Sequence, residues 1–291
     1  MIPAPFDYHR AGSVDEAIGL LRRYGGDAKL LSGGMSLLPT LKLRLGSFGH
    51  LVDISRIAEL EYVKEEGGVV RVGAGTRQCV LERSEAIKSK FGALADAIPL
   101  IADPLVRNRG TIGGNVANGD PANDGPAIVI ALGAELVARG PKGERRIAAN
   151  RFYKDLYTTD LAGDEMLVEI RLPAPPARTG SAYRKLKRKT GDFAAAAVAA
   201  CVTLDARGAV QSAGIALTNV GPTPVQALES EKALAGRMLD EKAIAEAAKL
   251  AAKAASPSAD RRGSTEYKRE MVRVMCARAL TAALERARGK A

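Results

Sequence analysis

Two tandem glycines set in polar surroundings, Gly33-Gly34 and Gly113-Gly114, constrain this chain more than any other feature. The first pair sits in Leu31-Ser32-Gly33-Gly34-Met35-Ser36-Leu37-Leu38-Pro39, after a short apolar run and before a segment with helical spacing. A glycine pair reaches conformations with φ > 0 and carries no Cβ, so its N–H groups can approach an anion closely. A helix beginning just beyond would aim its first amides at the same point, and Ser32 and Ser36 add hydroxyl donors. The second pair lies in Arg107-Asn108-Arg109-Gly110-Thr111-Ile112-Gly113-Gly114-Asn115, followed by Gly119-Asp120-Pro121 and Asn123-Asp124. Small donors again flank the glycines, and Asp120 and Asp124 are acceptors suited to sugar hydroxyls. Either segment alone reads equally well as an ordinary turn. Two of them, each with polar donors, suit a ligand with two phosphates held between two lobes.

Other nucleotide motifs fail. Gly73-Ala74-Gly75-Thr76-Arg77-Gln78 lacks the third glycine of a dinucleotide fingerprint and reads as a strand-end turn. No Gly-x-x-x-x-Gly-Lys-Ser/Thr is present, which argues against a P-loop. With three scattered cysteines and two histidines, the chain is poorly supplied for a disulfide scaffold, a zinc site, an iron–sulfur cluster or a His-activated nucleophile. We therefore expect no catalytic residue and no metal ligand, with the chemistry belonging to a bound cofactor. The net charge of +10 suits an anionic partner, but 4% aromatic residues and no Trp offer few stacking platforms for nucleic acid. No apolar run reaches the ~18 residues of a transmembrane segment. Met1 to Tyr8 shows no charged, then apolar, leader pattern, which points to a cytoplasmic location.

Hydrophobic spacing supplies the elements. Val14, Ala17, Ile18, Leu21 and Tyr24 predict a helix over 14–24, with Ser13 as N-cap, Glu16 completing a capping box and Gly25-Gly26 as the stop. Strands are predicted at 28–31 and 51–54, a helix over 36–45 between them, and a hairpin around Gly67-Gly68. Residues 79–90 read as one helix and 92–102 as another, interrupted by Pro99. The stretch 103–126 reads as loop, 127–132 as helix or strand, and 134–172 as alternating strands and turns. After the linker signal Pro173-Ala174-Pro175-Pro176 come strand-like runs at 181–187, 194–204 and 213–218, then alanine-rich helices near 240–255 and 266–288. Strands and helices interleave without a regular βαβ period, so the class is α+β. Divisions near 56 and 176 give units 1–56, 57–176 and 177–291. Tyr153, Tyr157 and Cys201 read as packing residues. The basic cluster from Arg184 to Lys189 reads as a solvated strand face or as a contact to cofactor or partner.

These residues resemble a known family, the FAD-binding medium subunits of the molybdenum hydroxylases. Ser32 to Pro39 is similar to the family's Ala-Gly-Gly-x-Ser-Leu-x-Pro pattern, and Arg107 to Asn115 to its Arg-Asn-x-Gly-Thr-Ile-Gly-Gly-Asn stretch. Asp103-Pro104 and Asn123-Asp124-x-Pro126 bring the chain nearest to the carbon monoxide dehydrogenase branch. The likeness covers nearly the whole chain, from Pro5-Phe6-Asp7-Tyr8 onward. It departs at Ser32, where Ala is common, and at Met35, where His or Gln is frequent.

The resemblance implies a vanillyl-alcohol-oxidase-like (PCMH-type) fold, in which two α+β lobes clasp FAD and a C-terminal α+β domain closes over the flavin. It implies that Ser32, Gly33, Gly34, Met35, Ser36 and Leu37 hold the diphosphate, completed by Thr111, Gly113, Gly114 and Asn115, with Asp124 on the ribose or ribityl region. Ile101 joins the cofactor contacts, and Leu161 covers part of the ring. Lys185, with Lys187 second, brings a positive charge that favours reduced flavin. Phe193 stands where some relatives carry Tyr, keeping the stacking and losing the hydroxyl. The implied role is an FAD-carrying electron-transfer subunit. Its partners would be an iron–sulfur small subunit with 2Fe-2S clusters and a large subunit with the molybdenum cofactor, in a dimer of heterotrimers. Electrons would leave to quinone, NAD or another acceptor. Carbon monoxide is the first substrate implied, with an aldehyde, purine or N-heterocycle as alternatives. The complex would be cytoplasmic or tethered at the inner membrane face. The rival classes are a free-standing flavin oxidoreductase and a nucleotide- or nucleic-acid-binding module.

Overall fold

The computed structural model describes residues 1–289; Lys290 and Ala291, at the end of the expected 177–291 unit, lie outside the described residues. Three larger sheets and one small hairpin carry the fold. Parallel strands β1 (Asp7–Arg10), β2 (Ala28–Leu31) and β3 (His50–Asp53) form the first, in the order β1-β3-β2. The second is antiparallel and built from β4 (Val63–Glu66), β5 (Val69–Gly73), β6 (Glu135–Gly140) and β7 (Gly143–Ala148). A small hairpin of β8 (Tyr153–Asp155) and β9 (Thr158–Thr159) follows, and β10 (Met166–Pro173) returns to the centre of that sheet, giving the order β4-β5-β10-β6-β7. The third sheet runs in sequence order, β11 (Thr179–Leu186), β12 (Ala196–Leu204), β13 (Val210–Thr218) and β14 (Val225–Gln226). The architecture is α+β.

The first helix, α1 (Val14–Tyr24), forms where its periodicity predicts. Val14, Ala17, Ile18 and Leu21 are buried on one face, the larger of them each contributing about 1.5–3 kcal/mol. Ser13 Oγ accepts from the Glu16 amide at 3.1 Å. The Glu16 carboxylate reaches one residue further back than a capping box, accepting from the Gly12 amide at 2.7 Å. Gly25, at φ +56°, ends the helix. Its apolar face packs on β2 and β3 together with Val137, Met166 and Val168 of the second sheet, so the first two sheets share one core.

Helices between the first and third sheets are shorter than their spacing predicts. α2 (Leu37–Lys42) stops before 45, and Arg44 turns into the left-handed region at φ +56°. The expected helix 79–90 is two, α3 (Gln78–Arg83) and α4 (Glu85–Lys90). Ser84 leaves helical geometry between them, and its Oγ caps the second by accepting from the Ile87 amide. α5 (Gly92–Ala97) runs into a 3-10 turn containing Pro99. The stretch expected as loop, 103–126, holds α6 (Pro104–Arg107), α7 (Ile112–Ala117) and the start of α8 (Asp124–Ala131). Polar residues that suggested loop are helix caps here, Asp103 for α6 and Thr111 for α7. α8 is buried along its whole length, so the ambiguous run 127–132 is helix with no amphipathic signal. One turn of helix, α9 (Ala149–Phe152), closes off β7.

In the third sheet, β12 is covered on both faces. Ala197 and Ala199 pack into the core of the second sheet, while Ala196, Val198, Ala200, Val202 and Leu204 face the C-terminal helices. This explains an uninterrupted apolar run where a half-exposed strand would alternate. Those helices are α10 (Leu228–Leu234), absent from the sequence reading, α11 (Glu241–Ala254) and α12 (Thr265–Ala287). Small residues let α12 lie directly on β11: a Cβ at Gly180 would come within 2.0 Å of the Ala283 carbonyl oxygen. Gly180→Val is therefore expected to push α12 off the sheet and cost at least about 1–3 kcal/mol. Urea unfolding checks this, and an unchanged midpoint would contradict the packing. Arg286 of α12 also pairs with Asp96 of α5 at 2.8 Å, tying the last helix to the middle of the molecule. Among the described residues no helix is long and apolar enough to cross a membrane.

Candidate functional site

The two glycine segments meet. Ser32 Oγ lies 3.0 Å from Thr111 Oγ1. A Cβ on Gly33 would be 2.2 Å from the Arg109 carbonyl oxygen, so only glycine lets the backbones touch. Gly34 takes φ +75° to turn the chain into α2. The amides of Gly33, Gly34, Met35, Ser36 and Leu37 make no hydrogen bond with another group among the described residues. Five successive unpaired donors on one loop form a cradle for an anion.

The second segment supplies a different part than its sequence suggests. The amides of Ile112, Gly113, Gly114 and Asn115 are already bonded, to Thr76 O, Ala74 O, Thr111 Oγ1 and Thr111 O at 2.9–3.1 Å. Gly113 is required because a Cβ there would lie 2.5 Å from Ala74 Cβ and from its carbonyl oxygen. Gly114 instead is exposed. A side chain there would meet Thr111 Oγ1 at 2.8 Å. The expectation that this loop donates a second set of glycine amides is thus corrected: it contributes the Thr111 hydroxyl and open space.

Around this junction lies a cleft of about 660 Å³, and all fifteen residues picked from the sequence line it. Ser32, Gly33, Gly34, Met35, Ser36 and Leu37 come from the first segment, and Thr111, Gly113, Gly114 and Asn115 from the second. Ile101, Asp124, Leu161, Lys185 and Phe193 join them. Met35 and Phe193 are partly exposed. Arg262 places its guanidinium 5.9 Å from the centre of the Phe193 ring and 3.4 Å from Asp192.

Asp124 and Lys185 are not independent. Lys185 Nζ donates to Asp124 Oδ2 at 2.8 Å and to the Leu100 carbonyl at 3.2 Å. The Tyr183 hydroxyl donates to Asp124 Oδ1 at 2.6 Å. Both side chains of the ion pair are at least 95% buried. Burial pushes the Asp124 carboxyl up, against the pull of Lys185 and Tyr183. Burial and the carboxylate hold the Tyr183 phenol well above its usual range, so it stays a donor. The positive charge expected at Lys185 is present with a partner, Asp124 on α8, that compensates it.

Tyr157 was expected to be a packing residue. It is instead 61% exposed on the cleft wall, at φ +54°, with its hydroxyl 3.3 Å from Asp120 Oδ2. Tyr153 is packed, and burial raises its phenol strongly. Sequence reasoning missed Lys29, whose ammonium stands 5.6 Å from the Phe48 ring centre on the cleft wall, and Asn123, Thr158 and Thr159. It also missed Tyr183, although its two-residue spacing from Lys185 on a predicted strand places both on one face.

The donor set fits a diphosphate, and the cleft volume lies within the range of single-ligand sites. Comparison with known proteins agrees. Residues 4–175 match the family model described as the FAD binding domain in molybdopterin dehydrogenase. Residues 181–283 match that of the CO dehydrogenase flavoprotein C-terminal domain. The chain is 45% identical to the carbon monoxide dehydrogenase medium chain of Afipia carboxidovorans, over 99% of this chain and 100% of that one. It is 46% identical to the carbon monoxide dehydrogenase medium chain of Hydrogenophaga pseudoflava, over 98% and 99%. It is similar to a solved structure of carbon monoxide dehydrogenase from Hydrogenophaga pseudoflava lacking the Mo-pyranopterin moiety, with a TM-score of 0.96, 48% identity and coverage of 98% and 99%.

Proposed function

We propose for this chain, which belongs to the FAD-binding family of the molybdopterin dehydrogenases, the role of an electron-transfer subunit that holds FAD in the cleft between its glycine segments. The observation that carries the reading is the row of unpaired amides from Gly33 to Leu37 opening on that cleft. These amides would hold the diphosphate, with the Thr111 hydroxyl closing the opposite side. Asp124 and Lys185 would meet the ribityl and ring region as a compensated pair, and Ile101, Leu161 and Phe193 would pack on the ring. Bound FAD supplies the capacity to take and give electrons singly or in pairs. The chain's own residues bind it, orient it and set the charge around it.

Electrons would arrive from 2Fe-2S clusters on a small subunit and originate at a molybdenum cofactor on a large one, in a dimer of heterotrimers. Quinone or NAD would be the acceptor. The similarity to two carbon monoxide dehydrogenase medium chains favours carbon monoxide as the substrate of the whole complex. A cytoplasmic site, with attachment at the inner membrane face through the complex, belongs to the same proposal. So does the division of the chain near residues 56 and 176, supported by the three larger sheets, whose strands fall one sheet to each segment.

The test compares the FAD-loaded full chain alone with the chain in complex with its partner subunits. The flavin absorbance is expected to bleach under carbon monoxide only when the partners are present. Bleaching of the lone chain by a substrate would favour a free-standing flavin oxidoreductase.

A further inference from the structure

Tyr183 is among the largest fully buried side chains of the molecule, and it lies on β11 two residues before Lys185. Its phenol and the Lys185 ammonium reach different oxygens of one carboxylate, Asp124 at the first position of α8. Thr218 of β13 sits 3.3 Å behind the phenol. The charged and titratable groups facing Asp124 are Lys185 and Tyr183, with Lys187 at longer range. The neutral side chains of Asn115 on α7 and Thr218 on β13 bond its neighbours, the Gly125 amide and the Tyr183 phenol. Asp124 therefore has two strong partners, and burial opposes its charge.

We propose that Tyr183 is a positioning residue for the cofactor site: it holds Asp124 ionised, keeps Lys185 compensated, and so sets the net charge that the cleft presents to the flavin. The inference rests on the reading that FAD occupies the cleft. Without the phenol, Asp124 keeps one charged partner and loses the hydrogen bond that favours its ionised form. Asp124 then takes a proton from solvent at a higher pH. The Lys185 charge is left uncompensated and favours the reduced, more negative flavin.

The experiment uses the full chain in two arms. In the chain without flavin, the Asp124 carboxyl is titrated by its carbon-13 chemical shift. Tyr183→Phe is expected to move the midpoint up by about one pH unit. Fluorotyrosine at 183, which keeps the shape and strengthens the donor, moves it down. In the FAD-loaded chain, Tyr183→Phe raises the flavin midpoint potential in the pH range between the two Asp124 midpoints. That rise vanishes in an Asp124→Asn background. An unmoved Asp124 titration, or a potential shift that persists in that background, would overturn the proposal. A wild-type chain that takes up no FAD would overturn the cleft assignment and this proposal together, through the second arm alone.

Discussion

Replacing Gly114 by valine is expected to abolish flavin retention while the chain stays folded. Gly114 is exposed on the cleft wall, and any Cβ there lies 2.8 Å from Thr111 Oγ1 and 4.0 Å from Ser32 Cβ. The valine side chain would therefore enter the joint between the two glycine segments. It would displace the hydroxyl that caps α7 and that meets Ser32. Losing the cap costs about 1 kcal/mol, which a protein of this size withstands. The cleft loses its second wall as a binding surface, and FAD affinity is expected to fall at least ~100-fold, about 2.8 kcal/mol. Flavin content after gel filtration, read beside a thermal melt, separates the two effects. Full occupancy in a folded variant would remove the second segment from the site.

Lys185→Met is expected to destabilise the chain by about 3–5 kcal/mol at neutral pH. The substitution leaves Asp124 buried, with Tyr183 as its remaining strong partner. Its carboxyl, already pushed up by burial, rises further once the ammonium is gone. A carboxyl whose folded-state value lies above its unfolded value binds more protons when folded. Its stabilising contribution is complete below the unfolded value, ~3.9, and is lost as pH rises through the raised folded value. The variant should therefore be least stable at neutral pH and regain stability toward pH ~4. The wild type shows the same direction more weakly. Removing both charges with Lys185→Met and Asp124→Asn should restore much of the loss. Urea unfolding across pH checks this, and a loss independent of pH would contradict the buried pair.

Local features were legible in the sequence and tertiary partnerships were not. α1 declared itself because its cap, its apolar face and its terminal glycine are all local. β12 was visible as an apolar run, but that it is buried on both faces depends on α8 on one side and α12 on the other. The helix expected over 79–90 breaks because Ser84 works better as a cap than as a helix interior residue. α8 lacks periodicity because every face is buried. The glycine segments were found as segments, yet their division of labour was hidden. Gly33 and Gly113 serve backbone contact with Arg109 and Ala74, and among the described residues the run of five successive free amides lies in the first loop. Asp124 and Lys185 each drew attention singly; that they form one pair follows from α8 packing against β12 and β13, which no local pattern encodes.

This chain is proposed to hold FAD in the cleft between its glycine segments. The visible absorbance spectrum of the purified full chain, taken before and after adding FAD and again after gel filtration, tests it most directly. Flavin bands are expected to co-elute with the protein at one FAD per chain and to be lost in Gly114→Val. Absence of flavin bands in the folded chain, both alone and co-expressed with its partner subunits, would contradict it.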